Sequence, residues 1–124
     1  MIDIHCHILA FMDDGAQSVE ESLAMARAAV EDGVRALAAT PHTLNGVYMN
    51  PASQVREQTH ALQENLSQNG ISLRLVVGSD IHICPQMALR VQNGDACTIN
   101  DTGKYLLMEL PAQNIPPGIK EEVF

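Results

Sequence analysis

Aromatic residues are nearly missing from this chain of 124 residues, which has no Trp, two Tyr and two Phe. A core without aromatic rings has to be aliphatic, and a hydrophobic fraction of 46% supplies enough such residues. The length suits one domain or part of a larger one. With only 18% charged residues, the composition also argues against wholesale disorder.

Basic residues are scarce as well, with seven Lys and Arg against fifteen Asp and Glu, for a net charge of −8. A chain this acidic does not attract a polyanion, so we expect no nucleic-acid partner. The same acidic excess suits a protein that binds cations.

Cysteine occurs only three times, at the widely spaced positions Cys6, Cys84 and Cys97. This odd count favours free thiols in a reducing cytoplasm over a disulfide framework. No apolar run approaches the roughly 18 residues that span a bilayer, and the chain opens without the basic segment of a signal peptide. We therefore predict a soluble, cytoplasmic protein that does not itself span a membrane.

Strand-like and helix-like segments alternate along the chain. Strands are predicted at residues 1–5, 34–40, 72–79 and 105–110. Helices are predicted from Ser18, which has capping-box spacing to Glu21, from Pro51, over 85–91 and from Ile119. This order predicts an α/β fold with a parallel sheet and right-handed crossovers. An open sheet and part of a barrel both fit the pattern.

Potential metal ligands lie at or near the ends of all four predicted strands. They are His5 and His7 at the end of the first, His42 just past the second, Asp80 at the end of the third and Glu109 near the end of the fourth. Because the carboxyl ends of parallel strands share one face, we expect these side chains to converge there. Asp14, in the turn after the first strand, can join them. His82, two residues beyond Asp80, is a further candidate.

Imidazole and carboxylate groups together suit Mn, Zn or Fe. The His5-x-His7 spacing sends two imidazoles to one side of an extended segment. Taken singly, His42 and Asp80 have ordinary alternatives as turn or capping residues, and so does Asp14 before Gly15. Glu109 lies inside an apolar strand, where a buried carboxylate needs a partner. The shared face favours a metal site over these separate explanations.

Cys84 and Arg90 offer a competing interpretation, because their spacing matches the Cys-x5-Arg loop of cysteine-dependent phosphatases. The five intervening residues contain no glycine that would let backbone amides turn inward around a phosphate. They also have the pattern of a helix start. We expect a helix here rather than a catalytic loop, and we expect Cys6 to be packed rather than reactive.

Several short motifs occur in a fixed order along the chain. They are the opening Met-Ile-Asp-Ile-His-Cys-His, then Asp13-Asp14-Gly15, Thr40-Pro41-His42, Val77-Gly78-Ser79-Asp80-Ile81 and Leu107-Met108-Glu109. This set resembles the PHP-domain (polymerase and histidinol phosphatase) metal-dependent phosphatases. It is most similar to the protein-tyrosine phosphatase branch found in bacterial capsule and exopolysaccharide gene clusters.

The resemblance implies a distorted (β/α)7 TIM-like barrel, of which residues 1–124 would be the N-terminal half of a single PHP domain. It implies three metal ions, usually Mn, at the carboxyl ends of the strands. One ion would be held by His5, His7 and Asp80, a second by Asp80 and Glu109, and a third by Asp14 and His42. Asp80 stands where the family pattern has Glu. The phosphate-gripping Arg residues would lie in the other half.

The same resemblance implies hydrolysis of phosphotyrosine by a metal-activated water, with no side chain acting as nucleophile. The expected partner is a membrane-linked bacterial tyrosine kinase that controls polysaccharide export. Two alternatives stay open, namely another PHP-type phosphoesterase and a truncated, non-catalytic fragment that binds metal. The oligomeric state is left open too.

Overall fold

The computed structural model describes residues 1–123, in which strands and helices alternate. The strands are β1 (Ile2–Cys6), β2 (Ala36–Ala39), β3 (His42–Thr43), β4 (Arg74–Val77), β5 (Asp80–His82) and β6 (Leu107–Glu109). The helices are α1 (Val19–Glu31), α2 (Ala52–Gln68), α3 (Met87–Gln92) and α4 (Ile119–Val123), with a 3-10 turn at Ile99–Asp101. Phe124, the last residue of the predicted final helix, lies outside the described residues.

Within the described residues, all strand pairings are parallel, in two three-stranded sheets ordered β1-β2-β4 and β3-β5-β6. The predicted mixed α/β fold with parallel strands is therefore confirmed. The single strands expected over 34–40 and 72–79 are wrong in one respect, because each stops and restarts after two residues. Each of these chain segments thus contributes two strands, one to each sheet.

The interruptions coincide with a close approach between the two segments. A Cβ atom on Gly78 would lie 2.8 Å from Cγ2 of Thr40 and 3.0 Å from Cδ1 of Ile99, so the backbone passes where no side chain fits. Thr40 is fully buried, and its hydroxyl accepts a hydrogen bond from the backbone N–H of Cys6 at 2.9 Å. The N–H of Cys6 is therefore bonded to the Thr40 side chain instead of to a backbone carbonyl of β2, at the point where the β1–β2 register shifts.

Helix α1 begins where the sequence indicates. The Oγ atom of Ser18 accepts a hydrogen bond from the N–H of Glu21 at 3.1 Å. The carboxylate of Glu21 accepts from the N–H of Gln17 at 2.6 Å instead of returning to Ser18. The predicted cap is present, but its reciprocal bond is made one residue earlier than in a standard capping box.

Two other helix starts differ from the prediction by one or two residues. Pro51 precedes α2 as its N-cap instead of lying in the first turn, and α3 begins at Met87 rather than at Pro85. The last sheet strand is also shorter than expected, covering only 107–109. These shifts leave every predicted helix and strand in place.

The interior is aliphatic and consists of two clusters of unequal size. The large core lies between the first sheet and helices α1 and α2, and contains Ile8, Leu9, Met12, Ala26, Val34, Leu37, Ala39, Ala52, Val55, Leu62, Leu66, Ile71, Leu73, Leu75 and Cys97. The small core contains Leu44, Ile81, Met87 and Ala96. Packing is thus concentrated at the first sheet, and the second sheet is lightly supported.

All three cysteines are free thiols. Within residues 1–123, none of the helices is both long and apolar enough to cross a bilayer.

Candidate metal centre

The predicted ligands lie at the junction of the two sheets. His5 is in β1, and His7 follows it by two residues. His42 opens β3 and Asp80 opens β5, and the two residues are register partners in the second sheet. Glu109 closes β6. The parallel topology therefore brings side chains from four separate stretches of sequence to one place.

One group consists of His5, His7 and Asp80. The two Nε2 atoms of the histidines lie 3.1 Å apart, and Oδ2 of Asp80 lies 3.5 Å from the first and 3.8 Å from the second. Two ligand atoms that each lie about 2.1 Å from one ion are about 3.0–3.4 Å apart. The spacing of these three side chains is close to what one bound cation requires.

A second group consists of His42, Asp80 and Glu109. The Nδ1 atom of His42 lies 3.1 Å from Oδ2 of Asp80 and 3.4 Å from Oε2 of Glu109. This nitrogen is buried and has no hydrogen-bond partner. A buried nitrogen without a partner is costly in an apolar protein interior, and a cation between it and the two carboxylates would remove that cost.

A third group consists of His7, Asp14 and His42. The Nε2 atom of His42 lies 3.5 Å from Oδ1 of Asp14, and the centroids of the two imidazole rings are 4.4 Å apart. Asp14 is largely exposed, whereas the histidines are mostly covered. The site is therefore open to solvent on the side of the loop that follows β1.

Asp80 is the most enclosed of the three candidate ligand carboxylates, with a side chain that is 3% exposed. Its Oδ2 atom is approached by nitrogens of His5, His7 and His42. A carboxylate removed from water needs opposite charge close by, and the position shared by two of the groups suits a bridging ligand. The geometry thus fits divalent cations held by nitrogen and oxygen donors.

Asp13 is a member of the site that the sequence analysis treated only as part of a turn. Its Oδ2 atom accepts hydrogen bonds from Nδ1 of His7 at 2.7 Å and from the N–H of His42 at 2.8 Å. Burial pushes the pKa of Asp13 upward, but these bonds and that from the N–H of Gly15 hold it below its usual value. The hydrogen bond to Asp13 in turn raises the pKa of His7.

Two more residues that the sequence analysis did not name lie beside His42. Asn50 is buried, and its side-chain amide donates to the carbonyls of Met12 and His42, both at 2.8 Å. The ring of Tyr48 lies nearly parallel to that of His42 at a centroid distance of 6.3 Å. In the sequence, only the position of Asn50 just before α2 and of Tyr48 six residues after His42 could have indicated that these residues belong to the site.

His82 is in none of the ligand groups found within residues 1–123. Although it follows Asp80 by two residues, the geometry gives this candidate no support. His60 lies on α2, far from the site in sequence, and pairs with Glu64 at 3.3 Å on the exposed side of the helix. Its side chain faces solvent.

The competing cysteine loop has the wrong shape in the structure. Helix α3 occupies most of the segment between Cys84 and Arg90, and the guanidinium of Arg90 is bound to Asp95 at 2.8 Å. Burial, followed by the charges of Asp3 and Asp13, raises the pKa of Cys6 to about 11, so this thiol is protonated at neutral pH. The Cys6 thiol is therefore not an activated nucleophile.

A cavity of about 410 Å³ lies elsewhere, lined by residues that include Arg56, Val91 and Leu106. It contains none of the candidate ligands, and the guanidinium of Arg56 is bound to Asp101 at 2.7 Å. The chemistry is therefore concentrated at the junction of the sheets and not in this cavity.

Known proteins similar to this chain identify its family. The family model described as "Capsular polysaccharide synthesis, CpsB/CapC" matches residues 1–123. The chain belongs to the CpsB/CapC family. This membership confirms the resemblance drawn from the ordered motifs.

Several CpsB/CapC relatives are tyrosine phosphatases by name. The chain is 44% identical over 116 residues to the tyrosine-protein phosphatase YwqE of Bacillus subtilis, an alignment covering 94% of the chain and 45% of the relative. It is 30% identical over 109 residues to the tyrosine-protein phosphatase CpsB of Streptococcus pneumoniae, covering 88% and 44%. The chain therefore spans about half the length of the relatives it matches.

The fold is also shared with a crystallised member of the CpsB/CapC family. A chain from the crystal structures of YwqE and CpsB, described as unique metal-dependent tyrosine phosphatases, superposes with a TM-score of 0.92 at 42% identity. The superposition covers 98% of this chain and 49% of that chain. The dependence on metal stated for those phosphatases is consistent with the donor set found here.

Proposed function

We propose that the complete protein containing this chain is a metal-dependent protein-tyrosine phosphatase. One observation carries the proposal, namely the convergence of six candidate ligands in three overlapping groups, which are His5, His7, Asp14, His42, Asp80 and Glu109. The names of the YwqE and CpsB relatives support tyrosine phosphate as the substrate.

In this proposal, His5, His7 and Asp80 hold one cation, Asp80 and Glu109 a second, and Asp14 and His42 a third. Divalent cations in such positions activate water and neutralise phosphate oxygens. Asp80 fits the bridging role because its Oδ2 atom is approached by three imidazoles and it is shared by two ligand groups. The mixed nitrogen and oxygen donors suit Mn, and Zn or Fe would fit as well.

We further propose that residues 1–124 form the first half of a barrel-shaped PHP domain of the TIM-like (β/α)7 type. The four strand-forming segments lie side by side in chain order and run parallel, which supports a barrel over a doubly wound sheet. Relatives about twice as long as the chain leave room for the other half and for the residues that would grip phosphate.

The proposed substrate is a phosphotyrosine protein, specifically a membrane-linked bacterial tyrosine kinase that regulates capsule or exopolysaccharide synthesis. The family's description ties the chain to capsular polysaccharide synthesis. The free thiols of Cys6, Cys84 and Cys97 fit action in the reducing cytoplasm, where the phosphorylated tail of such a kinase would lie.

The test uses the full-length protein, stripped with a chelator and reloaded with Mn, Zn or Fe. We expect hydrolysis of a phosphotyrosine peptide to disappear on chelation and return with metal, and a Cys84→Ser variant to keep full activity. Phosphoserine peptide and histidinol phosphate serve as competing substrates in the same assay.

Two results would contradict the proposal in different ways. Activity that survives the chelator but is lost in Cys84→Ser would replace the metal mechanism by a cysteine mechanism. Metal-dependent activity that prefers histidinol phosphate would keep the metal centre and assign the protein to another class of phosphoesterase.

A further inference from the structure

We propose that Asp13 is a positioning residue of the metal centre, through which one carboxylate oxygen fixes both the ring of His7 and the backbone of His42. This inference rests on the metal-dependent function proposed above. It concerns a residue that this function has not used so far. Asp13 is 6% exposed and lies next to the candidate ligand Asp14.

Both oxygens of Asp13 are occupied by short hydrogen bonds. Oδ2 accepts from Nδ1 of His7 at 2.7 Å and from the N–H of His42 at 2.8 Å, while Oδ1 accepts from the N–H of Gly15 at 2.9 Å. Both oxygens therefore face protein donors, and Asp13 is in none of the ligand groups found within residues 1–123, in contrast to the exposed Asp14 beside it.

The bond to His7 decides which ring nitrogen is free to bind a metal. A carboxylate can only accept, so Nδ1 of His7 carries the proton. The lone pair of the neutral ring is then on Nε2, which lies 3.1 Å from Nε2 of His5 and 3.8 Å from Oδ2 of Asp80. Carboxylates that hold ligand histidines in this way raise metal affinity by orienting the ring and fixing its tautomer.

The second bond couples His7 to a neighbouring cation position. His42 is the residue that the other two ligand groups share, and its backbone N–H bonds to the same oxygen that holds His7. Displacing Asp13 would therefore disturb both histidines at once. The loop is also held against His7, because the backbone of Gly15 packs where no Cβ fits and the N–H of Ala16 donates to the carbonyl of His7 at 3.1 Å.

Asp13→Asn in the full-length protein tests the idea. Asn has the same shape but one oxygen, so it cannot accept from all three donors. If the amide oxygen stays on His7 and His42, the NH₂ opposes the N–H of Gly15; if the amide turns, the NH₂ opposes Nδ1 of His7 and favours a proton on Nε2, so either orientation weakens the anchor. We expect Mn²⁺ affinity, measured by isothermal titration calorimetry, to fall about 10–100-fold. We also expect ¹⁵N NMR of the metal-free proteins, recorded above the raised pKa of His7, to show the His7 proton on Nδ1 in wild type and a smaller Nδ1 fraction in the variant.

Two variants control for damage that has nothing to do with ligand placement. Ser22→Ala removes a buried hydrogen bond of 2.6 Å to the carbonyl of Ile8, in the same loop, and touches no candidate ligand. Asp101→Asn removes one negative charge from an ion pair with Arg56. Both should retain the Mn²⁺ affinity of the wild type, even where the melting temperature falls.

The outcomes separate this inference from the proposed function. If Asp13→Asn binds Mn²⁺ as tightly as wild type, or loses no more affinity than Ser22→Ala at an equal loss of melting temperature, Asp13 is only structural. A wild-type His7 that carries its proton on Nε2 would overturn the inference even if the variant failed to fold. A wild-type protein that binds no Mn²⁺ would overturn the proposed function and this inference together.

Discussion

The two parallel sheets are joined by two chain segments that each contribute a strand to both, yet the sheets pack against hydrophobic cores of very different size. The sheet β1-β2-β4 packs against α1 and α2 in the large core of fifteen residues. The sheet β3-β5-β6 has the four-residue small core and carries His42, Asp80 and Glu109. Along each interrupted segment, the strand before the break packs in the large core and the strand after it carries candidate metal ligands.

This division explains why a histidine and carboxylate cluster can persist in so small a structure. Apolar burial stabilises a fold by roughly 25 cal/mol for each Å² removed from water, and the large core concentrates that burial away from the ligands. Clustered carboxylates repel one another, which destabilises the folded structure when no cation is bound between them. We expect substitutions in the two regions to separate into loss of folding and loss of metal.

The largest expected effect is on metal binding, from Asp80→Asn. Removing one anionic oxygen from a position shared by two ligand groups should lower Mn²⁺ affinity more than about 100-fold. Loss of a residue that only hydrogen-bonds to a ligand already lowers metal affinity about 10–100-fold. Calorimetric titration of the full-length protein measures this. Urea unfolding of the metal-free protein should change little, and a large loss of stability would erase the proposed division.

Leu66→Ala is the matching change in the large core. Leu66 is fully buried, so the lost contacts and the cavity should reduce the free energy of unfolding by about 2–5 kcal/mol. Urea unfolding measures the change. Leu89→Ala on α3, where the side chain is 49% exposed, is the control and should cost much less. Equal losses in the two variants would contradict the assigned core.

Thiol reactivity distinguishes the two regions on a smaller scale. Burial, followed by the charge of Asp101, raises the pKa of Cys97 in the large core to about 11, above an ordinary thiol of about 8.5. Because the thiolate reacts, iodoacetamide at pH 8 should label Cys97 at least about tenfold more slowly than Cys84, and faster as the pH rises. Mass spectrometry over time provides the rates.

In the unfolded protein, these two cysteines should react at similar rates, which controls for sequence effects. A native Cys97 that reacts as fast as Cys84 would mean that the large core opens readily.

The smallest expected effect is at the start of α1. Ser18→Ala removes the hydroxyl that accepts from the N–H of Glu21, and it should cost about 1 kcal/mol of unfolding free energy. Ser67→Ala, whose exposed hydroxyl bonds only to the carbonyl of Gln63, is the matched control. Mn²⁺ affinity should stay unchanged in both, and a loss in Ser18→Ala would show that α1 also orders the ligand loop.

Most of the fold could be predicted because its signals are local. Caps such as Ser18 and the period of apolar residues place helices and strands within a few residues. The breaks within two strands could not be predicted in the same way. They involve contact between Gly78 and Thr40, which are distant in sequence, and no local pattern reports such a contact.

The candidate site likewise has a part that could be predicted from the sequence and a part that could not. The ends of parallel strands predicted where His42, Asp80 and Glu109 would meet, because topology alone brings them together. The sequence indicated Asp14 as a ligand but gave no role to the adjacent Asp13, since the path of the loop decides which carboxylate turns inward. A carboxylate six residues after His7 was the only hint of the inner partner.

The contact between Gly15 and His7 has a consequence for natural and laboratory variation. Any larger residue at position 15 would displace the carbonyl oxygen and Cβ of His7, which a Cβ atom would approach to 2.2 and 2.4 Å. A saturation library of the full-length protein, selected for the proposed phosphatase turnover, should therefore retain only glycine there, although this residue has no functional group at all. Mutational intolerance at such a position reports on the space that a neighbour needs and gives no information about reactivity.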